Sequence, residues 1–172
     1  MYEFEKKKLL SFINYDVLEI LKEEECIIAG GCITSLFTRR DINDIDIYFR
    51  SKKSLISALR KLDDECTWMA HTDKATLFVK DSSKYAYQFI HFKFFEQPSE
   101  IFNTFDFSVC MGAYDFKIND FVFDERFFQH NSQKILKFNE NTAYPIVSAL
   151  RVQKYIDKGY SISKPEYIKI ML

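Results

Sequence analysis

The 172-residue chain predicts an α+β fold, a mixed or antiparallel sheet with helices, followed by a short C-terminal helical segment. Three observations carry this prediction. Apolar runs of strand length alternate with amphipathic stretches up to about residue 133, and beyond that the pattern is helical only. The composition, 47% hydrophobic with four Gly and three Pro, supplies a sizeable core and little disorder. The expected organisation is a head over residues 1–133 and a helical segment over 134–172 packed on it.

Leu9, Leu10, Ile13, Val17 and Leu21 recur at helical spacing, predicting one amphipathic helix over residues 5–23. Cys26-Ile27-Ile28-Ala29 reads as a strand, Gly30-Gly31 as a turn, and Ile33 to Thr38 as a short helix. Ile42 to Phe49 alternates, so Ile45, Ile47 and Phe49 face one way and Asp44, Asp46 and Tyr48 the other. Ser51 to Glu65 follows as a helix. Thr76–Lys80 and Tyr85–Phe94 form paired strands around Asp81-Ser82-Ser83. Gln97-Pro98-Ser99 opens a short helix, and Phe107–Phe116 with Phe121–Asp124 make a second hairpin. Helices then cover roughly Glu125–Gln133, Tyr144–Lys158 and Ser163–Leu172, the last opened by a Ser163-x-x-Glu166 capping box.

Net charge is only −1, which excludes a uniformly basic nucleic-acid coat. Charge is nevertheless uneven: residues 134–172 carry seven Lys or Arg against three Asp or Glu, making this tail a candidate surface for an anionic partner. The four cysteines form no CxxC pair, which argues against zinc and a disulfide framework and for a reducing, cytoplasmic setting. No apolar run reaches the ~18–20 residues of a membrane span. His71, His91 and His130 have no metal-ligand spacing.

The stretch IAGGCITSLFTRRDINDIDIYF, residues 28–49, carries the chemistry. A double glycine between strand and helix is either a tight turn or a cradle whose bare backbone holds phosphates. Asp44 and Asp46, two residues apart on a strand, share a face, and such neighbouring carboxylates repel unless a cation lies between them. Mg²⁺ suits them, because it takes one or two carboxylates and completes its shell with water and substrate phosphates. An exposed polar strand face is the alternative.

Together these residues resemble the signature of the polymerase-β-like nucleotidyltransferase superfamily, most closely the head of poly(A) polymerases and CCA-adding (tRNA nucleotidyltransferase) enzymes. That family's pattern GGxVRDxLLGRxxxDxD aligns without gaps on Gly30 to Asp46, matching Gly30, Gly31, Ile33, Arg40, Asp44 and Asp46. Asp106-Phe107-Ser108-Val109 with Ala113-Tyr114-Asp115 resembles its RDFTINALAYD stretch, and Tyr144-Pro145 to Arg151, with Lys154-Tyr155 and Gly159-Tyr160, resembles the start of its neck. Departures are Thr34-Ser35 for the family's Arg-Asp, Phe105 for Arg, Cys110 for Asn, and Gln88 where related heads carry Glu.

The resemblance implies a small, phage-like enzyme that transfers a nucleoside monophosphate from an NTP to an acceptor hydroxyl using two Mg²⁺ ions. It implies metal at Asp44 and Asp46, and nucleotide at Gly30, Gly31, Ser35 and Arg40. Asp106 is a third carboxylate, a ribose contact or a strand-start cap. The favoured acceptor is an RNA, perhaps a tRNA 3′ end, along Arg151, Lys154 and Lys158, which recur at i, i+3 and i+7 while Ile146, Val147, Leu150 and Tyr155 face the head. A protein or small-molecule acceptor, or a nucleotide-binding module without turnover, are the alternatives.

Overall fold

A computed structural model describes residues 1–62, 66–80 and 83–172. It is a mixed α+β structure built on a seven-stranded sheet in the order β3-β4-β5-β2-β1-β6-β7. The strands are β1 (Ile27–Ala29), β2 (Asp44–Tyr48), β3 (Cys66–His71), β4 (Ala75–Lys80), β5 (Ala86–Ile90), β6 (Gly112–Asp115) and β7 (Asp120–Phe123). Among the described residues β2 and β5 run parallel, and the other five junctions are antiparallel.

Helices α1 (Glu3–Ser11), α2 (Tyr15–Glu23), α3 (Gly31–Phe37) and α4 (Lys52–Lys61) supply the apolar partners of one sheet face, where Ile28, Ile45, Ile47, Phe78 and Phe89 are fully buried. Helix α5 (Pro98–Phe102) and neighbouring rings cover part of the other face, over Ile27, Ala29, Tyr48 and Ala113. A third cluster joins Phe107, Val109 and Cys110 to Val152 and Tyr155 of α7 (Pro145–Asp157) and Ile170 of α8 (Lys164–Met171). Helix α6 (Phe127–Gln133) and the parallel pair β8 (Ile135–Leu136) and β9 (Ser161–Ile162) complete the chain.

Several elements differ from the sequence reading, each for a local reason. The single helix expected over residues 5–23 is two, because Asn14 leaves helical geometry and its Oδ1 caps α2 by accepting from the Asp16 N–H at 3.0 Å. The Asn14 N–H itself goes to the Tyr87 hydroxyl at 2.8 Å, fixing the break to β5. Helix α4 starts as expected at a Ser51/Ser54 reciprocal cap, but Leu62 is already extended. Its expected end at residues 63–65 lies outside the described residues, as do Asp81 and Ser82 of the expected hairpin turn.

Strand β3 was not anticipated, since most of Cys66–His71 is exposed at a sheet edge and shows no alternation of burial. The long strand expected from Phe107 is instead a 3₁₀ turn over Ser108–Cys110 followed by β6. Phe107 pairs with Phe138, and the Cys110 N–H folds back to the Phe107 carbonyl at 3.0 Å. The capping box at α8 is half formed: Ser163 Oγ accepts from the Glu166 N–H. The Glu166 carboxylate turns away to accept from the Phe138 N–H at 2.9 Å.

Gly112 lets α3 and α6 close on the start of β6. A methyl there would lie 2.9 Å from Ile33 Cγ2 and 2.9 Å from the Phe127 ring, both fully buried side chains. Gly112→Ala is therefore expected to lower unfolding free energy by about 1–3 kcal/mol. Urea denaturation checks this, and wild-type stability in the variant would mean that the contact is slack.

Candidate functional site

A cavity of about 240 Å³ opens beside the ends of β1 and β2 and is walled by Gly30, Gly31, Asp46, Asp106, Cys110 and Arg151. Tyr48, Phe92, Phe105, Tyr144 and Val147 add apolar wall, with Thr104, Thr142 and Ala143 between them. The sequence-level candidates Gly30, Gly31, Asp46, Asp106 and Arg151 thus meet in one place.

Gly30 sits at φ +94°, a conformation that side chains resist, and the Phe105 ring lies over it. Gly31 is different: a Cβ there would meet nothing within 4 Å, so no steric demand of the fold requires glycine. Thr34, in the same helix, is committed to structure, its hydroxyl donating to the Val109 carbonyl at 2.8 Å.

On β2, Ile45 and Ile47 plug into the core and turn Asp46 to the opposite face, where Tyr48 packs against the rings of Phe95 and Phe105. Asp44 is exposed and Asp46 is part-buried. Burial, and then the nearby Asp44 carboxylate, push Asp46 up to about 6, with Arg151 and Lys154 pulling the other way. Its Oδ1 is sealed from solvent and has no hydrogen-bond partner among the described residues, and Asp106 Oδ1 shares that state.

Asp106 is also raised by burial, against the pull of Arg151. It does not lie on a strand. It precedes the 3₁₀ turn, held there by the Asn139 N–H donating to its carbonyl at 2.7 Å. Arg151 Nη1 donates to Asp106 Oδ2 at 2.7 Å, and its Nη2 donates to the Tyr155 hydroxyl at 3.1 Å. Tyr155 in turn lies 2.5 Å from Cys110 Sγ. Among the described residues no three His, Cys, Asp or Glu side chains gather as a metal-ligand set, although Asp46 and Asp106 line the same cavity.

The remaining candidates lie outside the cavity wall. Ser35 is part-buried in α3. Arg40 is exposed and its guanidinium donates to the Lys158 carbonyl, tying the loop after α3 to the end of α7. The expected basic stripe is also dispersed. Arg151 turns inward to Asp106, and Lys158 Nζ lies 5.7 Å from the Tyr155 ring with its pKa lowered by burial and then by Lys154. Lys154 alone of the three is exposed. Correspondingly, Ile146 and Leu150 do not face the head. They are 85% and 78% exposed, while Ser148, Val152 and Tyr155 form the buried side of α7. The aromatic wall was missed, because Phe92, Phe105 and Tyr144 are scattered through a chain with 18 Phe and ten Tyr and nothing local distinguishes them.

A family model for the "Gabija anti-defense 2 family protein" matches residues 3–134. The chain belongs to the Gabija anti-defense 2 family. A relative named "Gabija anti-defense 2" from Bacillus phage SPbetaL7 is 57% identical over 172 residues, covering 99% of this chain and 42% of the relative. The chain thus spans about two fifths of the length of that relative. In three dimensions this family member is similar to CCA-adding enzymes. A Bacillus stearothermophilus enzyme in complex with CTP matches 99% of the chain and 43% of its own length with a TM-score of 0.66 at 15% identity. A Thermotoga maritima enzyme complexed with tRNA matches 95% and 43% with a TM-score of 0.64 at 12% identity. Another CCA-adding enzyme with CTP reaches a TM-score of 0.71 at 13% identity over 95% of this chain and 43% of its own. The resemblance drawn from the glycine and aspartate motifs is met at the level of fold. Among the described residues no helix is long and apolar enough to cross a membrane.

The raised pKa of Asp46 carries a stability consequence. The folded chain takes up this proton near pH 6 and the unfolded chain near its ordinary 3.8, so wild-type stability gains from Asp46 as pH falls between these values. Above them the buried charge costs about 1–3 kcal/mol. In EDTA, Asp46→Asn is expected to melt higher than wild type at pH 7.5, with the gap shrinking toward pH 4. Melting curves that stay parallel across this window would refute the buried-charge account.

Proposed function

We propose that this family member is a nucleotidyltransferase, moving a nucleoside monophosphate from an NTP to an acceptor hydroxyl. The observation that carries this reading is the pair of carboxylate oxygens, Asp46 Oδ1 and Asp106 Oδ1, sealed from solvent and without hydrogen-bond partners among the described residues, in the wall of a cavity that also contains Gly30 and Gly31. Buried anionic oxygens left unpaired are costly, and a bound cation or a polar ligand relieves that cost.

The reaction joins the acceptor oxygen to the α-phosphorus and breaks the bond from that phosphorus to the β-phosphate oxygen. Pyrophosphate leaves with the bonding electrons, and the acceptor proton passes to solvent. Asp44 and Asp46 would hold Mg²⁺. When bound, the two ions favoured by this chemistry activate the attacking oxygen and neutralise the leaving phosphates. Gly31, with open space where a side chain would stand, admits the triphosphate to the backbone. Asp106, its Oδ2 held by Arg151, would keep Oδ1 for a ribose hydroxyl. The rings of Tyr48, Phe105 and Tyr144 supply apolar wall for a base and exclude water.

An RNA 3′ end, the acceptor class suggested by the enzymes of similar fold, would meet Lys154 on α7 and Lys158 just past its end. The name of the family and of its phage relative favours a second reading, in which transfer acts against the Gabija defence system and the acceptor is one of its proteins.

Asp44→Asn and Asp46→Asn are each expected to abolish Mg²⁺-dependent release of pyrophosphate from NTP while leaving the circular dichroism spectrum unchanged. Gly31→Val should keep the wild-type melting temperature within about 2 °C, since its Cβ meets open space, yet weaken NTP binding at least tenfold. Thermal shift with NTP and Mg²⁺ measures both quantities. Wild-type turnover in either aspartate variant rejects the assignment.

A further inference from the structure

The α7 side of the cavity mouth is apolar. Tyr144 and Val147 line the cavity and are also 39% and 49% exposed, so the wall runs without a break onto the outer face of α7. That face continues through Ile146 and Leu150, one helical turn apart and 85% and 78% exposed. Contiguous exposed apolar side chains of this kind mark contact surfaces rather than solvated ones.

Charge on this rim is sparse. Arg151 is occupied by Asp106, and Lys158 lies over the Tyr155 ring, which leaves Lys154 on α7. Across the mouth, Lys74 Nζ stands 4.0 Å from the Tyr144 ring. A nucleic-acid backbone needs a row of cations along its phosphates and gains little from Ile and Leu. A protein surface has the opposite preference.

Resting on the nucleotidyltransferase reading above, we propose that the outer face of α7, centred on Ile146 and Leu150, docks a protein acceptor and presents its Ser, Thr or Tyr hydroxyl to the cavity. The partner matches the rim in two ways. It carries apolar side chains opposite Ile146, Val147 and Leu150, and an acidic group opposite Lys154. Continuity of the apolar face with the cavity wall places this partner where the attacking oxygen must enter. The transfer leaves the hydroxyl oxygen bonded to the α-phosphate, releases pyrophosphate and yields one proton.

The test uses the whole chain, each α-³²P-labelled NTP with Mg²⁺, and two acceptors offered separately, the purified proteins of the Gabija system and total host tRNA. The variant is Ile146→Gln with Leu150→Gln, both exposed positions outside the cavity wall. The expected result is label on protein, removable by phosphodiesterase, which falls at least tenfold in the double variant while the thermal shift given by NTP and Mg²⁺ is unchanged. Equal protein labelling by wild type and variant, or label on tRNA alone, overturns the proposal. So does a dimer in sedimentation that the double variant dissolves, which would assign the face to a second copy. Absence of protein label with the NTP thermal shift intact overturns the docking proposal alone. Absence of any NTP effect on wild type overturns the nucleotidyltransferase reading beneath it.

Discussion

The bond from Arg151 to Asp106, beside the cluster of Phe107, Val109 and Cys110 with Val152 and Tyr155, ties the turn before β6 to α7. It runs at 2.7 Å between a largely buried carboxylate and a guanidinium half-way along α7. Removing Arg151 would strand the Asp106 carboxylate, whose side chain is only 4% exposed, in a poorly solvated place, which is more costly than the bond is stabilising. The pair therefore acts chiefly to specify one arrangement. Once Arg151 points inward, helical geometry sends Ser148, Val152 and Tyr155 inward with it and Ile146 and Leu150 outward. The position of the cavity mouth, its apolar rim and the isolation of Lys154 all follow from that rotation.

The same dependence explains which parts of the molecule were legible in the sequence. Gly30, Gly31, Asp44 and Asp46 act through spacing within one short stretch, and a strand places alternate residues on alternate faces whatever surrounds it. The α+β class and most of the sheet were legible for the same reason. The rotation of α7 was not, because this helix is apolar on two sides, and no periodicity separates Ile146, Val147 and Leu150 from Val152 and Tyr155. What decides between them is Asp106, 45 residues away in the chain. The split of α1 from α2 was signalled by Asn14, a strong capping residue, but the apolar periodicity ran across it. Strand β3 lacked a signal altogether, as an exposed edge has no buried face to impose a pattern.

The site is also where the molecule departs from an optimal core. Every other large side chain of β2 is packed: Ile45 and Ile47 are fully buried, and Tyr48 sits under two rings. Asp46 stands among them with one oxygen unsatisfied among the described residues. Nearby, Gly112 closes the packing between α3 and α6 so tightly that a methyl has no room, whereas Gly31, only one residue past the strained Gly30, has open space above it. Tight packing behind the cavity and freedom in front of it is the arrangement a rigid ligand platform needs.

Electrostatics adds a constraint on any nucleotide that enters. The charged side chains of the cavity wall are Asp46, Asp106 and Arg151, two carboxylates against one guanidinium, so the wall itself is net negative before a ligand arrives. A triphosphate adds several negative charges at short range, and in a partly buried site little water remains to screen them. Arg151 relieves this only in part, since its charge is already balanced by Asp106. The exposure of Asp44 beside the part-buried Asp46 would give a hydrated divalent ion, were one bound, access to one carboxylate and a partner in the other. Under the proposed nucleotidyltransferase activity, nucleotide binding and divalent-ion binding would therefore be coupled, the cation offsetting the repulsion that the triphosphate alone would meet.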